Sequence, residues 1–314
     1  MSLSIDGLSK RFGAVQALDG VSLEVGRGEV FGFLGANGAG KTTTMRIVLG
    51  LMKADVGTVT WDGRPARAWP RRTWGYMPEE RGLYPRMPVM DQLIHFASLY
   101  GVARSRARAD AMAWLTRFRI DAYADRRAET LSKGNQQKVQ YIATVLHDPD
   151  VILMDEPFSG LDPVNVAMLK SALLEMRNRG KTVVFSTHQL EQAEEMCDSV
   201  AIIDRGRIVT SGPTRDVRRS TGHQVVRVAT TGRDLAWLRS LPEVTVTRDG
   251  RDYAEVRVSA GCDPQAVLRA AIATGSEILR FEVADPSLED VFVERVGTLD
   301  KDEQTLAEIP GGQA

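Results

Sequence analysis

Eight residues, "GANGAGKT" from Gly35 to Thr42, constrain this chain more than any other stretch. They follow the short apolar run "EVFGFLG" and open "KTTTMRIVLGLM", whose apolar residues recur at helical spacing. Strand, glycine-rich loop, helix is the setting in which G-x-x-x-x-G-K-[ST] holds a phosphate. The glycines let successive backbone N–H groups curl round an anion without Cβ clashes. The helix that starts there adds the positive end of its dipole. Lys41 is expected to reach the outer phosphates of a nucleotide, and Thr42 to offer its hydroxyl to Mg²⁺.

A loop of this kind implies an α/β fold, and "DVILMDEP" and "TVVFSTH" supply further strands for it. Both are apolar and rich in β-branched residues, as buried parallel strands are. "VNVAMLKSALLEMRNRG" between them reads as a crossover helix ended by Gly180. Asp155 and Glu156 fall at the carboxyl end of the first strand, where ligands of α/β sheets bind. Asp155 is expected to hold Mg²⁺, directly or through water. Glu156 is expected to orient and deprotonate an attacking water.

Around this centre the chain changes rhythm twice. Residues 1 to about 30 read as short strands, "LSIDGLSKRFG" and "VSLEV", separated by turn-forming glycines. From about Arg81 to Thr130 the pattern is helical, with Gly101 ending the first helix, and the run Arg104 to Arg108 reads as a solvated helix face. "SVAIIDRGRIVTSG" reads as a hairpin around Arg205-Gly206. After about Ser220 the order becomes strand, helix, strand, strand, helix, strand, that of a small ferredoxin-like domain. The expected division is residues 1–220 with a helical part at about 82–135, then 221–297, then a polar, disordered tail at 298–314.

Lys and Arg number 40 against 41 Asp and Glu, which argues against a whole-chain nucleic-acid footprint. Cys197 and Cys262 lie far apart without metal-ligand spacing and fit a reducing compartment. No run approaches about eighteen apolar residues, and "MSLSIDGLSKRFG" lacks the layout of a signal peptide. A soluble, cytosolic protein is expected, with any membrane role reached through a partner.

Six stretches, in order, together resemble the ATP-binding cassette ATPases whose cassette is a separate chain. "GANGAGKT" and "VILMDEP" resemble the two nucleotide motifs, and "LSKGN" from Leu131 resembles the signature LSGGQ. "SGLD" ending at Asp162 resembles the loop that communicates between cassettes, and "STH" ends in His188 at the switch-histidine position. Phe12 in "KRFGAVQAL" would be core if read alone; it resembles the aromatic that stacks on adenine. The resemblance covers about residues 1 to 220. It implies a P-loop NTPase cassette with a β-rich N-terminal subdomain and a helical subdomain, followed by the small α+β domain. It also implies ATP and Mg²⁺ as ligands. Glu156, His188 and Glu79 would be catalytic, with Thr42, Asp155 and Glu79 at the metal. Nucleotide contacts would come from Phe12, Gly35, Asn37, Gly38, Ala39, Gly40, Lys41, Thr42, Thr43, Ser132, Gly134 and Asp162.

Two departures stand out. Glu79, in "YMPEERGLYP", occupies the position of the family's loop glutamine; a carboxylate can bind Mg²⁺ or orient water but cannot donate as an amide does. With "EERGLYP" it resembles a subset that includes sodium and small-molecule export ATPases. In the signature, Lys133 replaces the first glycine and Asn135 the glutamine. Lys133 could tighten closure on a partner's nucleotide or point to solvent. "DPSLEDVFVERV" resembles the ending of cassettes that drive ABC-2-type exporters, with Leu288, Val291 and Phe292 spaced as one core-facing helix face. The resemblance implies a multi-span membrane permease on another chain and a second copy of this one, a homodimer closed by ATP. The place would be cytoplasmic, peripheral on the inner face of the cell membrane, with no nucleic acid. A soluble cassette ATPase of translation or DNA repair is the alternative; a P-loop kinase or GTPase fits the signature and histidine less well.

Overall fold

The computed structural model of the 314-residue chain describes residues 2–80, 82–231, 235–259 and 261–296. It divides into two compact units, Met1–Gly212 and a second from Pro213 onward.

The first unit opens with β1 (Ser2–Phe12) and β2 (Val15–Gly26), an antiparallel hairpin. Alternation buries Leu3 and Ile5 on β1 and Leu23 and Val25 on β2 against the core. The reading of a short second strand after a glycine turn is corrected here. β2 already starts at Val15, and Gly20 lies inside it at φ 68, opposite a shift in register. A left-handed glycine absorbs an extra residue as a bulge and leaves the ladder running.

Next come β3 (Val30–Leu34), α1 (Lys41–Val48), β4 (Val56–Trp61), β5 (Arg64–Pro65) and β6 (Trp74–Met77). The helices α2 (Val89–Leu99), α3 (Arg104–Arg117) and α4 (Lys133–Val145) follow. The unit then runs through β7 (Val151–Asp155), α5 (Pro163–Asn178), β8 (Thr182–Thr187), α6 (Leu190–Met196), β9 (Ser199–Asp204) and β10 (Arg207–Pro213). The main sheet has the order β10-β9-β3-β8-β7-β6, and its pairs from β9 across to β6 are parallel. Every residue of β3, β7 and β8 is buried, which explains their largely apolar sequences; Asp155 on β7 and Thr182, Ser186 and Thr187 on β8 are the buried polar residues among them. The second sheet, β2-β1-β4-β5, is antiparallel. One core joins the two sheets and α1, with Leu3, Phe31, Met45, Trp61 and Trp74 among its members. Arg205 and Gly206, both at positive φ, make the β9–β10 turn that the sequence pattern indicates. Arg104, Arg106 and Arg108 are exposed on α3.

The second unit comprises α7 (Thr214–Arg219), β11 (Gln224–Thr230), α8 (Ala236–Arg239), β12 (Val244–Asp249), β13 (Ala254–Val258), α9 (Gln265–Ala273) and β14 (Ile278–Ala284), then a helix over 288–296. Its sheet, β12-β13-β11-β14, is antiparallel throughout and has the ferredoxin-like connection. Arg218 Nε donates to Pro286 O at 2.7 Å, so α7 belongs to this unit. Ser287 and Asp290 cap the last helix reciprocally: Asp290 N–H donates to Ser287 Oγ and Ser287 N–H to Asp290 Oδ2. Leu288 and Val291 are fully buried there, but Phe292 is only half-buried. The expected disordered tail lies outside the described residues.

Candidate nucleotide site

The loop between β3 and α1 folds as its glycines require. Gly38 and Gly40 have φ of 85° and 111°, conformations that a side chain would strain. Gly40 also has no room: a Cβ there would lie 2.8 Å from Ala17 O. The sequence pattern accounts for the turn, and the packing against β2 adds a second reason for glycine. α1 begins at Lys41, so its first N–H groups face the loop.

Lys41 is buried. Its Nζ donates to Gly35 O at 2.7 Å and Ala36 O at 3.1 Å and lies 3.8 Å from Glu156 Oε1. Burial pushes the ammonium below the ordinary lysine value, and Glu156, Asp155 and Glu79 push it back up. Thr42 Oγ1 donates to Asp155 Oδ2 at 2.6 Å. Asp155 is 1 % exposed at the end of β7, and its other oxygen accepts from Ser186 Oγ on β8. Ser186 also fixes the next residue, because Glu156 N–H donates to its carbonyl at 3.1 Å. Glu156 needs that support: its φ is 49°, a left-handed conformation costing of order 1–3 kcal/mol in a non-glycine residue. The kink turns the Glu156 carboxylate towards Lys41, and His188 Nδ1 lies 2.9 Å from its Oε1.

One cleft is lined by Asn37, Gly38, Gly40, Lys41, Thr42 and Thr43 of the loop, together with Glu79, Asp155 and Glu156. Ala17 of β2 lines it too, a residue the sequence reading did not single out. Ser186 was also missed. It opens the "STH" stretch, whose reading rested on His188 alone, although a serine inside a fully buried strand must find a hydrogen-bond partner. The Thr42 hydroxyl with the Asp155 and Glu79 carboxylates forms a hard oxygen set, of the type Mg²⁺ takes beside phosphate oxygens. Phe12 stands at the β1–β2 turn, 46 % exposed, with Lys10 Nζ 5.5 Å from its ring centroid. It is not a core residue.

The remaining predicted residues sit elsewhere on this chain. Ser132 caps α4, accepting from Asn135 N–H at 3.3 Å, and Lys133 beside it is exposed. Asp162 caps α5 in the same way, accepting from Asn165 N–H at 2.9 Å. That bond holds its carboxyl below the usual carboxylate range. The two helix starts adjoin, since a Cβ on Gly134 would lie 3.1 Å from Asn165 Nδ2. Gln137 ties α4 to the segment that follows β7 by donating to Pro157 O at 2.9 Å. Among the described residues lining the cleft, neither Ser132 nor Gly134 occurs.

A phosphate loop at the end of a parallel strand, facing an Asp-Glu pair at the end of the next strand but one in the same sheet, defines a P-loop nucleoside triphosphatase. Residues 18–159 match the ABC transporter family, and residues 212–296 match the C-terminal domain described as ATP-binding protein DrrA1-3-like. The chain is 41% identical over 297 residues to the ABC transporter ATP-binding protein YhaQ of Bacillus subtilis, covering 95% of this chain and 99% of that one. It is 35% identical over 305 residues to Nod factor export ATP-binding protein I of Ralstonia nicotianae, covering 94% of each. It is 29% identical over 307 residues to the linearmycin resistance ATP-binding protein LnrL of Bacillus subtilis, covering 94% and 98%. A solved ATP-binding subunit of an ABC transporter superposes with a TM-score of 0.66 at 33% identity, over 71% of this chain and 94% of the other. The chain belongs to the ABC transporter ATP-binding proteins and is an ATP-hydrolysing subunit of that class. The alternative in translation or DNA repair finds no support among these relatives. Among the described residues, no helix is long and apolar enough to cross a membrane.

Proposed function

We propose that this chain powers an exporter from the inner face of the cell membrane, as a homodimer bound to a multi-span permease on a separate chain. The observation that carries the reading is the separation of two half-sites. Lys41, Thr42, Asp155 and Glu156 share one cleft, whereas Ser132 and Gly134 stand at the start of another helix. Two copies arranged head to tail would set the α4 start of one against the cleft of the other, the simplest closed twofold assembly. ATP then draws the pair together, and hydrolysis releases it.

Within one cleft, Lys41 and the loop N–H groups bind the phosphates. Thr42, Asp155 and Glu79 hold Mg²⁺, which when bound spreads the phosphate charge. Glu156 takes the proton of the attacking water, and His188 contacts the γ-phosphate. Phe12 offers its exposed ring to adenine. Export as the direction rests on relatives named for export and on the second unit's family.

The permease is proposed to sit on the helical segment after Glu79. Tyr84, 51 % exposed, stacks on Phe96 at 5.6 Å and 15°, beside Pro85 and Met87. Purification of the tagged chain from detergent-solubilised membranes tests the assignment. A multi-span protein that copurifies is the expected result; ribosomes or DNA in its place contradict it.

Lys133 decides a smaller point. It is exposed at a helix start aimed, in this assembly, at the partner's nucleotide, so its charge favours closure. Lys133→Gly is expected to raise the ATP concentration for half-maximal dimerisation by about two- to fivefold, the scale of one exposed charge pair. Light scattering against ATP concentration measures this, and an unchanged midpoint makes Lys133 a surface substitution.

A further inference from the structure

The backbone around Glu79 is held from behind by α4. Gln140 is 3 % exposed, and its Nε2 donates to Pro78 O at 2.7 Å and to Glu80 O at 3.3 Å. These are the carbonyls on either side of Glu79, so both hydrogens of one amide serve one loop. The acceptor half of the same amide, Gln140 Oε1, is buried without a hydrogen-bond partner among the described residues. Leaving a buried acceptor unmet is unfavourable, and an apolar side chain of similar size would avoid it. What glutamine adds at this position is its pair of donors. Thr144, one turn further along α4, makes a weaker link by donating to Tyr76 O at 3.3 Å, near the end of β6.

Glu79 itself is exposed and faces the cleft with Thr42, Asp155 and Glu156. At the far end of α4 stand Ser132 and Gly134. The eight residues from Lys133 to Gln140 span roughly 10 Å of helix axis. One rigid helix therefore carries the half-site offered to a partner at its start and the clasp on Glu79 further along.

We infer that Gln140 is a positioning residue. It fastens the Glu79 backbone to α4, so a displacement of the helix that moves Ser132 and Gly134 also moves the Glu79 carboxylate relative to Asp155 and Glu156. The inference rests on the proposed role of Glu79 at the metal and the attacking water.

The test is a double-mutant cycle on the full chain, with Mg²⁺-ATPase rate followed against ATP concentration. Gln140→Met removes both donors and keeps the length and apolar bulk. Its kcat is expected to fall about tenfold with KM within about twofold, because a misplaced group costs turnover more than binding. Glu79→Ala is expected to slow turnover at least as much, and adding Gln140→Met to it is expected to cause no further loss. Gln140→Asn, with the amide one methylene short, is expected to fall in the same direction and replaces Gln140→Met should that variant not fold. Glu79→Ala slow with Gln140→Met at the parent rate overturns the inference alone. So does a Gln140→Met defect that persists undiminished in the Glu79→Ala background. Glu79→Ala at the parent rate overturns the role of Glu79 and this inference with it.

Discussion

Glu156→Gln is expected to bind ATP and to hydrolyse it about 10²- to 10⁴-fold more slowly, the range that a positioned general base contributes. Glu156 is 4 % exposed, its backbone is pinned by Ser186, and its carboxylate lies between Lys41 and His188. Glutamine keeps the shape and can still accept from a neighbouring donor, but it cannot take up a proton. Binding survives because the loop N–H groups and Lys41 are untouched. The substitution also removes a negative charge 3.8 Å from Lys41, which favours an incoming polyphosphate. Phosphate release measured beside equilibrium ATP binding separates the two effects. Hydrolysis at the parent rate would remove Glu156 from its assigned role.

Lys41→Ala is expected to weaken ATP binding by about 10- to 100-fold, the scale of a hydrogen-bonded charge lost from a buried site. Lys41 bridges the loop through Gly35 O and Ala36 O. It is also the cation in the cleft that faces Asp155, Glu156 and Glu79. Without it the Glu156 carboxylate loses its cationic neighbour, so charge repulsion with the phosphates adds to the lost contact. Thermal unfolding run in parallel distinguishes lost affinity from lost fold. An unchanged affinity would refute the phosphate-loop assignment.

The parts of this account that were legible in the sequence are those whose partners lie close along the chain. Gly35 to Thr42 form one loop, and Asp155 and Glu156 end one strand, so spacing alone indicates their geometry. The second unit was readable as a βαββαβ pattern because each of its elements is bounded by turn residues. What joins these pieces was not legible. Ser186 meets Asp155 across 31 positions and Gln140 meets Pro78 across 62; Ser186 lies in "STH", but that stretch points to His188, and Gln140 belongs to no motif. A signal for them existed in kind: α4 buries Gln137, Lys138, Gln140 and Thr144 beside its apolar residues. Buried polar side chains of that number must be bonded to something. Their partners, however, could be named only from the fold. Gly20 shows the opposite error, since its freedom at positive φ serves a bulge as well as a turn, and sequence does not separate the two.

Each nucleotide site is proposed to be completed by a second copy of the chain. Sedimentation of Glu156→Gln with and without ATP tests it most directly, because that variant is expected to retain the nucleotide that closes the pair. A monomer without nucleotide that converts to a dimer with ATP, and fails to do so once Lys41→Ala is added, is the predicted result. A variant that binds ATP at saturation and still sediments as a monomer would contradict the account.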